Sequence, residues 1–115
     1  MNKLKTIICI ATLAAALIAL SVGSLATTPA VFQDGAKIYA DKCAKCHKAD
    51  GTGEAKYQKQ GIEDMSNATW QKNHTDAKIA AAIKNGKGEF MPAWKGKLKP
   101  AEITAVVKHI RSLKK

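Results

Sequence analysis

Two thiols and an imidazole fall within five residues at Cys43-Ala44-Lys45-Cys46-His47. Cys-x-x-Cys alone is compatible with a redox disulfide, half a zinc site or a corner of an iron–sulfur cluster. The histidine placed immediately after the second thiol narrows the choice. Cysteines at i and i+3 near a helix end project to one side of the chain, and the next residue can bring its ring over the same plane. Haem has the matching geometry, because vinyl groups on neighbouring pyrroles can each take a thioether while the imidazole reaches the iron between them. Cys-x-x-Cys-His is the sequence signature of c-type haem attachment. Cys43 and Cys46 are therefore the expected covalent links, and His47 the expected proximal ligand, of one haem c.

The remaining cysteine does not extend this set. Cys9 lies in an amino-terminal stretch that opens with Lys3 and Lys5, runs apolar for 14 residues from Ile7 to Leu20, and closes on Ser24-Leu25-Ala26. That is the layout of a cleaved export signal, and 14 apolar residues fall short of the roughly 20 that span a bilayer. Residues 1–26 are expected to be a signal peptide, or an anchor if retained, and residues 27–115 one exported domain placed in the periplasm. Two cysteines cannot complete a zinc ribbon or a four-thiolate cluster. A thiol–disulfide oxidoreductase would need a βαβ setting and an activated thiol, and no run of residues reads as a strand.

The sixth iron position is the next question, and Met91 is the leading candidate. It follows His47 by 44 residues and precedes Pro92, which restricts the backbone on both sides of that peptide bond. A thioether favours ferrous iron and raises the reduction potential relative to harder ligands. It also closes the site to oxygen and peroxide. Met65 reads as packing. His74 reads as a solvated loop residue and His109 as a flank residue of a helix, and neither is expected to bind iron. Among the aromatics, Tyr39, Phe90, Trp70 and Trp94 are candidate pocket walls, with Trp94, three residues beyond Met91, foremost.

Three helices position these groups. The first runs from about Asp34, as N-cap, to Cys43, with Ala36, Tyr39, Ala40 and Cys43 at helical spacing. The second starts after Thr75, buries Ile79, Ala82 and Ile83, and stops at Gly86. The third has Pro100 in its first turn and a stripe of Ile103, Val106, Val107, Ile110 and Leu113. Asp50-Gly51-Thr52-Gly53 is a turn, as is the stretch from Lys84 to Gly88. The expected fold is all-α with long loops. Such loops in a small domain generally wrap something, and a domain of about 89 residues has a thin core of its own.

With the leader removed, 17 basic and 9 acidic side chains leave a net charge of +8. The lysines are scattered rather than clustered with aromatics, and an exported chain seldom meets nucleic acid, so no nucleic-acid partner is expected. Lys45, Lys48, Lys87, Lys95 and Lys97 flank the two ligand segments and are placed to steer the domain to acidic docking surfaces on redox partners.

The sequence resembles the small, exported, single-haem class I cytochromes c of bacteria. The resemblance is carried by Gly35 to Tyr39 ahead of CAKCH, by the Asp50 to Gly53 turn, by Ile79 to Gly88, and by Phe90-Met91-Pro92-Ala93-Trp94 with the closing helix. It implies the cytochrome c fold, with its first and last helices crossing, and an electron carrier with no catalytic residues and no small-molecule substrate. A haem subunit of a larger oxidoreductase and a ligand-binding sensor with a labile Met91 are the alternatives. One departure stands out. Many members hold the proximal histidine through a proline carbonyl in the loop after the haem motif, and no proline occurs here between His47 and Met91. Another carbonyl, around Gly61 to Asp64, is expected to replace it.

Overall fold

The computed structural model describes residues 34–115; the expected leader, residues 1–26, lies outside them. Five α-helices follow one another: α1 (Gly35–Lys42), α2 (Ala44–His47), α3 (Ala68–Asn73), α4 (Asp76–Asn85) and α5 (Pro100–Ser112), with a 3₁₀ helix (Ala55–Gln60) between α2 and α3. No strand forms among the described residues, which hold only two isolated bridges, Lys87 with Met91 and Lys95 with Leu98. The all-α expectation therefore holds.

Local chemistry sets the helix starts. The Asp34 carboxylate accepts from Lys37 N at 3.0 Å, and the Thr75 hydroxyl from Lys78 N at 3.2 Å, so each satisfies an N–H that the first turn leaves unpaired. Pro100 opens α5, and Glu102 reaches back to accept from Lys99 N at 2.6 Å.

The core lies where α5 meets α1 and α4. Its buried members are Tyr39, Met65, Ile79, Ile83, Leu98, Ile103, Val106, Val107 and Ile110, and each large apolar side chain withdrawn from water contributes about 1.5–3 kcal/mol. The stripe expected on α5 is buried except for Leu113, which is partly covered. The face of α1 differs from expectation in part: Tyr39 is buried and Cys43 partly so, as expected, but Ala36 and Ala40 are exposed and Gly35 is buried instead. The reason is close approach: a Cβ on Gly35 would overlap the Ala105 carbonyl and come within 3.0 Å of Val106 N, so α1 crosses α5 with backbone against backbone.

The stretch expected to be loop between the haem motif and α4 contains the 3₁₀ helix and α3. Asn67 starts α3 by accepting from Thr69 N at 2.8 Å and Trp70 N at 3.2 Å. A polar hub then ties α3 and the head of α4 to α5. Buried Gln71 donates to the carbonyls of Met65 (2.6 Å) and Ile110 (2.9 Å). Arg111 donates to Gln71 O (2.7 Å), Gln71 Oε1 (2.8 Å), the His74 carbonyl and the Asp76 carboxylate (2.7 Å).

Candidate functional site

The attachment motif is a short helical continuation of α1. Cys43 joins α1 to α2 in a right-handed helical conformation, and its carbonyl accepts from Cys46 N at 3.1 Å and His47 N at 2.9 Å. The two thiols and the imidazole are therefore carried on little more than one turn, and all three side chains are partly buried. Returning backbone fixes the motif from outside: Glu54 N donates to Cys46 O at 2.8 Å and Gly53 N to His47 O at 3.0 Å. The Asp50 carboxylate closes that return by accepting from the Thr52 N–H and hydroxyl. These two bonds hold its pKa down at about 2 against the opposing effect of burial, with a lesser contribution from the Lys115 ammonium.

Lys48 ends the motif under strain. Its backbone lies at φ 60° and ψ 159°, a region almost reserved for glycine. It is the one non-glycine residue with positive φ among those described. The Tyr39 hydroxyl, on a side chain only 1% exposed, donates to Lys48 O at 2.9 Å and holds this conformation.

The chemistry of the donor set fits an iron porphyrin. Cys43 and Cys46 form no disulfide with each other. Burial pushes the Cys43 thiol up to about 11, with Lys42 opposing and Cys46 adding to the rise. A thiol–disulfide exchanger needs the reverse shift. Burial first, and the Lys87 ammonium second, lower the pKa of His47, which keeps the imidazole neutral with a lone pair for a metal. Among the described residues no three His, Cys, Asp or Glu side chains cluster into a metal site without a porphyrin.

The carbonyl expected to orient His47 does not do so. His47 Nδ1 is buried and has no hydrogen-bond partner. Residues 61–64 turn elsewhere: Ile62 N bonds to Tyr57 O, Asp64 caps Ser66, and the Ile62 side chain and Glu63 carbonyl face Gly53.

The Met91 segment is built on the end of α4. Gly86 leaves the helix at φ 76°, and a Cβ there would meet Met91 O at 2.5 Å and Ala93 N at 2.9 Å. Lys87 N donates to Met91 O at 3.1 Å and Met91 N to Lys87 O at 3.3 Å, while Trp94 N returns to Ile83 O at 3.0 Å. Met91 is partly buried against the core. Lys87 links the Met91 loop to the His47 segment, since its backbone pairs with Met91 while its charge acts on His47.

The aromatic candidates separate. Trp94 is partly buried against the core, with the ammonium groups of Lys42 and Lys97 at 6.0 and 5.7 Å from its ring. Phe90 is 63% exposed and projects from the Met91 loop rather than into the core. Tyr39 belongs to the α1–α5 core. Trp70 stacks on His74, ring centroids 4.3 Å apart, so His74 is a partly buried packing residue and not the solvated one expected. The Lys87 ammonium, against the opposing effect of burial, holds the Glu63 carboxyl below its ordinary range, and the nearby Trp70 indole N–H adds a lesser effect without closing a hydrogen bond of good geometry. His109 packs on Tyr39 at 4.8 Å. Met65 is buried in the core, as expected.

Helices and donor set together define a c-type cytochrome domain. Comparison with known proteins agrees. The chain belongs to the family described as cytochrome c oxidase, cbb3-type, subunit III, whose family model matches residues 30–110, and it carries covalent c-type haem. The cbb3-type cytochrome c oxidase subunit FixP of Azorhizobium caulinodans is 36% identical over 86 residues, covering 75% of this chain and 28% of the relative. The subunit CcoP of Cereibacter sphaeroides is 31% identical, covering 73% and 28%. The chain thus spans little more than a quarter of the length of these curated relatives. The solved KustC0563 c-type cytochrome aligns with a TM-score of 0.68 at 35% identity, over 71% of this chain and 99% of that one. The domain transfers electrons.

Proposed function

We propose that this chain passes single electrons to or within a cytochrome c oxidase of the cbb3 type. In this reading Cys43 and Cys46 would hold the haem through thioethers, His47 and Met91 would be its iron ligands, and Trp94 would line its pocket. The bound haem supplies reversible one-electron chemistry at its iron. The protein's part is positioning. Cys43 and Cys46 would tie the group to α2. The neutral His47 imidazole would offer a nitrogen to the iron, and the backbone-clamped Met91 loop would offer its sulfur and so deny that position to oxygen. The observation that carries the oxidase assignment is the family match over residues 30–110, together with curated relatives named as cbb3-type oxidase subunits.

A second reading, a freely diffusing carrier, is favoured by one observation: the alignment covers 99% of the KustC0563 cytochrome, a chain of about the size of this domain. In either case the exposed Lys45, Lys48, Lys95 and Lys97 are suited to acidic docking surfaces. Lys87 is not a free charge of this kind, because Glu63 holds its ammonium at 2.7 Å. With residues 1–26 read as an export leader, our reading is of a periplasmic domain, tethered if the leader is kept. No described helix is long and apolar enough to cross a membrane.

Purification from native membranes separates the readings. A subunit co-purifies with the oxidase through high-salt washing. A carrier is released and reduces the oxidase at a rate that falls steeply with ionic strength. Reduced protein that binds carbon monoxide promptly at neutral pH would overturn both, because it would show the sixth position open.

A further inference from the structure

The Met91 loop is closed on itself by the paired backbone bonds between Lys87 and Met91, at 3.1 and 3.3 Å. Among the described residues, one ion pair ties this loop to another segment: Lys87 Nζ lies 2.7 Å from Glu63 Oε2. Glu63 is itself tethered to the opposite side of the site. Two residues on, Met65 N donates to Gly51 O at 2.8 Å, and Gly51 belongs to the return that bonds His47 O through Gly53 N at 3.0 Å. The ion pair therefore spans the segment carrying the proximal histidine and the loop carrying the methionine, across 24 residues of chain.

We propose that Glu63 is a positioning residue for the sixth iron ligand, its carboxylate holding Lys87 so that the Met91 loop stays shut over the haem. The proposal rests on the reading of Met91 as that ligand. Both side chains are substantially exposed, 59% for Lys87 and 44% for Glu63. Such pairs are weak and screened by salt, so the latch changes how often the loop opens rather than whether the domain folds. Its loss corresponds to about a two- to five-fold increase in opening, the range expected for an exposed pair.

The test is replacement of Met91 by added imidazole in the ferric holoprotein, followed as the decay of the sulfur-to-iron charge-transfer band. Glu63→Gln is expected to speed replacement about two- to five-fold at low ionic strength. The wild-type rate should climb to the variant's as salt is added, while the variant's stays flat. The charge-swapped double variant, Glu63→Lys with Lys87→Glu, is expected to restore the slow rate. Equal rates at low salt, or a swap that restores nothing, would overturn the latch. Loss of thermal stability with unchanged replacement rates would mark Glu63 as merely structural and overturn it as well. A wild-type protein with no sulfur band would instead overturn the ligation reading, and the latch with it.

Discussion

Gly35 lies against the backbone of Ala105, with no room between them for a methyl group. This contact is where α1 crosses α5, and α1 runs directly into the attachment motif, so the crossing sets where the thiols and imidazole stand. Helix propensity alone favours alanine over glycine by about 0.5–1 kcal/mol. Overlap with a backbone that has no rotamer to move costs about 1–3 kcal/mol or more. Gly35→Ala is expected to lower the stability of the holoprotein by roughly 2 kcal/mol in denaturant titrations, and Gly35→Val by more. An alanine variant as stable as wild type would show that the two helices are not in register there.

Lys48 offers the opposite sign. A non-glycine residue in its conformation costs about 1–3 kcal/mol, and glycine gives back about 0.5–1 kcal/mol through the greater freedom of the unfolded chain. Lys48→Gly is expected to raise the unfolding free energy by about 1 kcal/mol. The side chain is exposed, so little packing is lost. A destabilised variant would contradict the strain.

Tyr39→Phe removes the hydrogen bond to Lys48 O and should cost about 1 kcal/mol at neutral pH. The loss has a pH signature. Burial above all raises the Tyr39 phenol well above its ordinary value of 10.0. The folded phenol stays neutral where the unfolded one ionises, so its contribution is complete below pH 10 and declines as pH rises beyond it. The stability difference between wild type and Tyr39→Phe, measured by unfolding from pH 8 to 11, should shrink above pH 10. A difference independent of pH would place the phenol in contact with solvent.

Arg111 makes four bonds of unequal worth. Its Asp76 partner is 73% exposed, so that ion pair contributes at most about 1 kcal/mol. The Gln71 and His74 groups are less accessible and would lose a charged donor. Arg111→Met is expected to cost about 2–4 kcal/mol and Asp76→Asn less than about 1 kcal/mol, with Arg111→Lys rescuing little because one ammonium cannot replace a fork. Comparable losses from Asp76→Asn and Arg111→Met in thermal melts would reverse this ranking.

The legible parts of the sequence were those written within a few residues. CAKCH declares the cofactor over five residues, and the Asp34 and Thr75 caps and the Pro100-to-Glu102 helix start each declare themselves over four or fewer. On α1, Tyr39 was legible, but Ala36 and Ala40 were read onto its buried face in place of Gly35, because both choices have helical spacing and only the partner backbone distinguishes them. Asn67 could have marked α3, since asparagine is a strong N-cap, but a helix of six residues has too few turns to show a period. The Arg111–Gln71 hub joins residues 40 apart, and no local pattern encodes such a pair. The orientation of His47 was expected from a proline-bearing pattern that this chain lacks, and its Nδ1 stands without the carbonyl that pattern supplies.

The seam at Gly86 bears on how the ligand loop tolerates change. Any substitution at position 86 adds at least a Cβ 2.5 Å from the Met91 carbonyl oxygen, whereas Gly88 and Gly96 have open space within 4 Å. In a saturation library, position 86 would score as intolerant as an iron ligand while contributing no side chain of its own. Position 88 would accept asparagine, which tolerates positive φ. Attempts to diversify this cytochrome's redox surface should start at Gly88 and leave Gly86 untouched.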